Sequence, residues 1–248
     1  MDCTGKKVLV TGGSRGIGRA ACLLFAAQGA AVAIGCNKNR ASADALAEEI
    51  RARGGAAFVV QGDVSTPEGA ERIVDAAAEA LDGLDTLVCA AGTLTKSPFT
   101  EVTKEHFDRE INTNFAGAFF AAQRAVERMR RQGGGSIVLL SSQAAFTGSA
   151  GGTVYSATKG ALLSLTYALA RELAPENIRG NCDSPGRIET DMVAYASPEK
   201  RRKWLAEIPM GRLGTPEETA TAIVYLASDA AAYITGANLN VGGGVYMG

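Results

Sequence analysis

Tyr155 and Lys159 stand four positions apart, and Ser142 precedes the tyrosine by thirteen. On a helix over 153–174, a tyrosine and a lysine at that spacing share one face. A free tyrosine, with a pKa of roughly 10, is a poor acid–base catalyst at neutral pH. A neighbouring ammonium favours the phenolate and makes proton transfer workable. A serine hydroxyl at a strand end would then hold a substrate carbonyl while the tyrosine donates to it. Alone, a Tyr-x-x-x-Lys pair is more often decoration of a helix, so its weight comes from what accompanies it.

What accompanies it is Thr11-Gly12-Gly13-Ser14-Arg15-Gly16-Ile17-Gly18, directly after the first apolar run. The glycines permit a tight turn and a close backbone approach to a pyrophosphate at a helix N-terminus, where free N–H groups and the dipole favour an anion. The spacing is G-x-x-x-G-x-G rather than the commoner G-x-G-x-x-G, and a ligand-free strand-to-helix turn is the alternative reading. The second apolar run ends in Ile34-Gly35-Cys36-Asn37-Lys38-Asn39-Arg40 without a carboxylate. A cofactor lacking a 2′-phosphate wants an acid there, whereas Arg15, Lys38 and Arg40 suit a 2′-phosphate. Lys38 and Arg40 read equally as solvated loop charges. The expected cofactor is NADP(H).

These residues need a scaffold that brings strand ends together. Short apolar runs at 8–10, 31–34, 57–60, 86–88 and 137–140, with another near Ile178, alternate with helical stretches at about 16–28, 42–53, 67–81, 103–132 and 153–174. Continuous apolar strands between helices mean a parallel sheet covered on both faces. Right-handed crossovers make it an α/β, doubly wound, Rossmann-like sheet, with ligands beyond the carboxyl ends of its strands. No linker or compositional break divides residues 1–248, so one domain is expected.

Composition excludes several other classes. The chain has 248 residues, 46% hydrophobic and 21% charged, with a net charge of −1. That fits one large domain and lacks the basic excess of a nucleic-acid binder. Five scattered cysteines and a single histidine, His106, predict no metal site. The start, Met1 to Lys7, leads into an apolar run too short for a signal peptide or membrane helix. A cytoplasmic protein without membrane or nucleic-acid partners is expected. Four cysteines read as inert core thiols, and Cys36, near the cofactor turn, as a candidate reactive one.

Taken together, Thr11-Gly12-x-x-x-Gly16-x-Gly18, Asn114, Ser142, Tyr155-x-x-x-Lys159 and Pro185-Gly186 resemble the short-chain dehydrogenase/reductase family along essentially the whole chain. The resemblance implies roles for these residues. Tyr155 would be the proton donor or acceptor, Lys159 would bind the nicotinamide ribose and depress the tyrosine pKa, Ser142 would orient the carbonyl, and Asn114 would support a proton relay. Asn112 lies close by, but the family spacing favours Asn114. The cofactor would contact Gly12, Ser14, Arg15, Gly16, Ile17, Gly18, Asn37, Lys38, Asp63, Val64, Ala91, Gly92, Pro185, Gly186, Ile188 and Thr190, besides Tyr155 and Lys159. A homotetramer packed through helices at 112–132 and 153–174 is also implied.

The chain departs from the family pattern in two places. Cys89-Ala90-Ala91-Gly92 stands for Asn-Asn-Ala-Gly, and Val241-Gly242-Gly243-Gly244 for Val-Asp-Gly-Gly. The most similar members look like 3-oxoacyl-[acyl-carrier-protein] reductases, which implies reduction of a ketone, with an oxidative alcohol or sugar dehydrogenase as the alternative reading. Arg128, Arg130 and Arg131 are candidates for docking an acidic carrier, or else they balance a helix C-terminus. A substrate lid is expected at about 187–212, with Tyr195–Met210 and Trp204 as its moving part.

Overall fold

The structure, a computed structural model, describes residues 1–194 and 196–247; Tyr195, the first residue of the expected moving part, lies outside them. In chain order the elements are β1 (Lys7–Thr11), α1 (Gly16–Ala27), β2 (Ala31–Cys36), α2 (Arg40–Ala52), β3 (Ala56–Gln61), α3 (Pro67–Leu81) and β4 (Thr86–Cys89). There follow α4 (Lys104–Glu110), α5 (Gly117–Gln132), β5 (Gly135–Leu140), α6 (Ala144–Thr147), α7 (Thr153–Leu173) and β6 (Ile178–Pro185). Two short helices, α8 (Asp191–Ala194) and α9 (Pro198–Glu207), precede α10 (Pro216–Ala227) and β7 (Asn238–Val241).

All seven strands form one parallel sheet in the order β3-β2-β1-β4-β5-β6-β7. The order reverses between β1 and β4, so a crevice opens at their carboxyl ends. Strand residues alternate between faces, as the pleat requires. Leu9 joins the core beneath α3, α5 and α7, while Val8 and Val10 join the core beneath α1, α2 and α10.

The start of α3 follows from Thr66, whose hydroxyl accepts from the Gly69 N–H, and from Pro67 in the first turn. Two elements escaped the apolar pattern. α10 begins with a reciprocal capping box between Thr215 and Glu218, and β7 is only four residues long with two asparagines. The expected continuous helix over 103–132 is instead divided. A π-helical turn, Ile111–Ala116, separates α4 from α5 and carries Asn114 inward. Such widened turns are rare and concentrate at functional sites.

Candidate active site

The glycine turn closes against the end of β4. Gly12 and Gly16 take φ of +67° and +53°, where a side chain is strained. A Cβ on Gly12 would lie 2.8 Å from the Ala91 Cα, and one on Gly18 would lie 2.3 Å from the Gly12 carbonyl oxygen. Arg15 precedes α1 and gives it no side-chain cap, so the first-turn N–H groups face outward. This cradle of bare backbone at a helix N-terminus fits the pyrophosphate of a dinucleotide. Ser14 and Ile17 are half-buried beside it, and the Thr190 methyl lies 3.4 Å from where a Gly16 Cβ would stand.

Beyond β2, Asn37 and Lys38 are exposed and converge on Asp63. Hydrogen bonds from Ser65, then from Asn37, and the Lys38 charge hold the Asp63 carboxyl below its ordinary range. Val64 is buried next to it. Cys36 does not meet the expectation of a reactive thiol: it is 3% exposed, and burial raises its pKa despite the Arg40 charge. The other four cysteines are buried too. At the first departure from the family pattern, β4 keeps its register, with Cys89 opposite both Thr11 and Leu139.

Ser142 follows β5, and its hydroxyl meets the Tyr155 hydroxyl, a contact that works to lower the tyrosine pKa against the larger effect of burial. Its neighbour Ser141 faces away, donating to the Lys159 carbonyl at 2.7 Å. Lys159 is buried, and its Nζ donates to the Leu140 carbonyl at 2.6 Å and lies 5.5 Å from the centre of the Tyr155 ring. Burial pushes the lysine down to about 8. The tyrosine is shifted the other way from the expectation. Burial of its hydroxyl raises its pKa, the Ser142 hydrogen bond opposes this, and the Glu110 charge adds to it. The ammonium is directed to the backbone of β5 rather than to the phenol oxygen, so its charge does not offset the desolvation.

Asn114 is 1% exposed, whereas Asn112 is exposed. The Asn114 Oδ1 accepts from the Thr93 N–H at 2.8 Å, and its Nδ2 donates to the Thr93 carbonyl and to the Thr158 hydroxyl. Gly92 lies between them. A Cβ there would stand 3.5 Å from the Asn114 Oδ1 and 3.7 Å from the Lys159 Nζ. Glu110, which no sequence motif singled out, is fully buried and its carboxylate accepts from the Thr95 N–H. Its place one turn before Asn114 was the available signal.

On the opposite wall, Pro185 ends β6 and Gly186 takes the Val241 carbonyl as acceptor. A Cβ on Gly186 would fall 2.7 Å from the Gly242 Cα. The backbones pack here, which accounts for glycine at 186, while a Cβ at 242 would meet only the Gln143 side chain, from 3.3 Å. Ile188 is buried and bridges to Gly214, and the Thr190 hydroxyl donates to the Ile188 carbonyl. Trp204, on α9, has the Arg187 guanidinium 5.1 Å and the Lys200 ammonium 5.5 Å from its ring centre. A separate cavity of about 400 Å³ beside Gly242–Gly244 contains none of Ser142, Tyr155 or Lys159.

Of the arginines expected to dock a carrier, Arg128 and Arg130 are engaged within the chain, and Arg131 is exposed. Arg124 and Arg128 share Asp75 at 2.8 and 2.6 Å, and Arg130 pairs with Glu176. Among the described residues no helix is long and apolar enough to cross a membrane, and no cluster of His, Cys, Asp and Glu has the spacing of a metal site.

A parallel sheet with a glycine turn at its switch point, together with a serine beside a tyrosine and a buried lysine one turn on, defines a nicotinamide-dependent oxidoreductase architecture. Comparison with known proteins agrees. The family model described as Enoyl-(Acyl carrier protein) reductase matches residues 12–246. L-rhamnose 1-dehydrogenase (NAD(P)(+)) of Azotobacter vinelandii is 44% identical over 248 residues, covering 98% of this chain and 97% of the relative. The 3-oxoacyl-[acyl-carrier-protein] reductase of Aquifex aeolicus is 39% identical, with 98% of each chain covered. A Sinorhizobium meliloti crystal structure described as a short-chain alcohol dehydrogenase superposes with a TM-score of 0.95 at 38% identity, covering 98% of this chain and 97% of that one. The chain belongs to the short-chain dehydrogenase/reductase family, whose chemistry is the interconversion of ketones and alcohols.

Proposed function

We propose that the protein reduces a ketone to a secondary alcohol with NADP(H), and that the reverse oxidation uses the same residues. The observation that carries this reading is the meeting of the Ser142 and Tyr155 hydroxyls with Lys159 buried beside them. A bound nicotinamide dinucleotide supplies or accepts the hydride. It would be held by the backbone of Gly12–Gly18, by Asp63 and Val64, by Ala91 and Gly92, by Lys159, and by Pro185–Thr190. Ser142 fixes the carbonyl oxygen, Tyr155 delivers a proton to it, and Lys159 with Asn114 renews that proton. The raised pKa of Tyr155 keeps its proton in place at neutral pH.

Preference for the 2′-phosphate rests on Arg15 and Lys38, both exposed at the turn, and on the lack of an acid after β2. Similarity to carrier-protein reductases favours a 3-oxoacyl thioester, free or carrier-bound. The more similar rhamnose dehydrogenase favours a second reading, oxidation of a sugar or small alcohol, and the engaged Arg128 and Arg130 speak against carrier docking on that helix. Residues 187–212 form the substrate lid of a single cytoplasmic domain. Exposed Phe119 on α5 and Tyr167 on α7 suit a homotetramer built on those helices.

The test is an initial-rate comparison of NADPH and NADH with acetoacetyl-CoA, and of NADP⁺ and NAD⁺ with L-rhamnose, in wild type and Tyr155→Phe. A cofactor-dependent rate that vanishes in the variant supports the reading. Turnover that survives in the variant refutes the assigned acid.

A further inference from the structure

We propose that the substrate of this cleft carries an anionic group, a carboxylate or a phosphate, and that Lys96 is the residue that binds it. The proposal rests on the ketone–alcohol chemistry assigned above and names the substrate class.

Lys96 lies on the loop after β4, and that loop is fastened on two sides. Asn114 and Glu110 hold the backbone at Thr93 and Thr95, and Arg109 donates to the Thr95 hydroxyl at 2.9 Å. On the other side the Ser97 N–H donates to the Gly151 carbonyl at 2.9 Å. The Lys96 ammonium reaches across to the loop before α7, donating to the Ser149 hydroxyl at 2.6 Å and the Ala150 carbonyl at 3.0 Å. It stands 3.2 Å from where a Gly152 Cβ would be, and Gly152 precedes Tyr155 by three residues. A side chain at 152 would therefore displace the ammonium, and glycine leaves it room within one turn of the tyrosine.

Both of its protein acceptors are neutral, and an ammonium has three donors. No carboxylate among the described residues pairs with Lys96 within ion-pair distance. With Leu94, Thr95, Asp191 and Met192 it lines an open cavity of about 410 Å³ between this loop and the lid. The lid brings charges of both signs to its surroundings, since Asp191 lines the same cavity and Arg187 is paired with Glu207 at 2.7 Å. Burial first, then the charges of Lys200 and Arg187, lower the Lys96 pKa, and Glu110 alone opposes them. Arg187 and Lys200 are the two cations that lie against Trp204. Asp191, the carboxylate on the same cavity, is 3.7 Å from Arg15. With Asp191 turned to Arg15 and Arg187 paired with Glu207, Lys96 is left as a cavity cation with no carboxylate at ion-pair distance among the described residues, and its remaining donor is complementary to an anion. Lys200, on α9, contributes to the positive field at Lys96 and lies against Trp204, so an anion bound by Lys96 would be felt at the Trp204 ring.

Trp204 is the only tryptophan, so its fluorescence reports the lid without any cofactor or turnover. Acetoacetate and levulinate, each beside its methyl ester, are titrated into wild type, Lys96→Gln and Lys96→Arg. The acids should produce a saturable change at concentrations roughly tenfold or more below their esters, since a hydrogen bond to a charged group is worth about that factor. Lys96→Gln should weaken acid binding by a similar factor and leave the esters unchanged, and Lys96→Arg should retain most of the preference. Equal response to acid and ester, no response to either, or equal weakening of both in Lys96→Gln would overturn the proposal. Steady-state rates on the same compounds separate the two claims. Turnover of esters without preference for acids sinks the anion site alone, while acid binding without turnover of any ketone or alcohol sinks the catalytic reading alone.

Discussion

Thr93 and Asn114 exchange two hydrogen bonds, the Thr93 N–H to Oδ1 at 2.8 Å and Nδ2 to the Thr93 carbonyl at 2.9 Å. A side chain on a π-helical turn thereby completes a strand end as another strand would. The loop that carries Lys96 is thus set by α4 and the turn after it. Asn114→Ala leaves both backbone groups of Thr93 without a partner. It should cost about 1–3 kcal/mol in denaturant unfolding and lower kcat more than it raises KM. Unchanged stability would show that the exchange contributes nothing.

Tyr155→Phe keeps the ring packing and removes only the hydroxyl that Ser142 meets. We expect kcat to fall by roughly 10²–10⁴-fold, the usual worth of a positioned general acid. Cofactor affinity, followed by nicotinamide fluorescence, should change little. A large loss of cofactor affinity would mean the hydroxyl binds rather than transfers a proton.

Lys159 is buried with its pKa pushed down to about 8, from roughly 10.4 in an unfolded chain. Between these values the unfolded state holds more protons, so this residue makes stability rise with pH over that interval and destabilises fully below it. Lys159→Met should therefore raise stability near neutral pH by about 1–3 kcal/mol while abolishing activity. The gain should shrink from pH 8 upward. A gain independent of pH would refute the assigned shift.

Asp183 presents a different case on β6, opposite Leu140 and Leu239. It is fully buried, neither carboxylate oxygen has a hydrogen-bond partner among the described residues, and burial raises its pKa well above the usual range. Its folded pKa lies above its unfolded value, so stability falls as pH rises from about 4 through the folded pKa. Asp183→Val should stabilise the protein by about 2 kcal/mol at neutral pH and less in acid. Thermal melts at two pH values would decide the matter, and destabilisation at both would contradict it.

Arg15 is exposed, and among the described residues its one ion pair is the loose contact with Asp191. Arg15→Glu should raise KM for NADPH by about 10- to 100-fold and leave KM for NADH nearly unchanged. Equal effects on both cofactors would place Arg15 on the shared pyrophosphate instead.

Much of this was legible because local signals agreed with the fold. The range of α3 was readable to the residue from Thr66, Pro67 and the apolar spacing. Gly12, Gly16 and Gly18 announced a turn with no room for side chains, and the tyrosine–lysine spacing placed both on one helix face. What stayed hidden depends on distant parts of the chain. Glu110 and Lys96 acquire meaning only when α4 and the loop before α7 meet the end of β4. The upward shift of Tyr155 follows from burial and from the direction of the Lys159 ammonium, neither of which spacing encodes. Asp183 lies in a strand that also carries Arg179, Asn181 and Ser184 and so shows no apolar run, and β7 alternates asparagines with apolar residues over four positions, too few for a periodic signal.

The pairing of β7 with β6 also orders events in time. The Gly186 N–H meets its acceptor only when Val241 arrives. On the ribosome, 79 positions separate Lys159 from Asn238, roughly 4–16 s of translation at 5–20 residues per second. Throughout that interval the nascent polypeptide holds its acid–base residues without a finished wall beside them. A chain that stalls in this window leaves the edge of β6 and the Gly186 N–H without the strand that completes them.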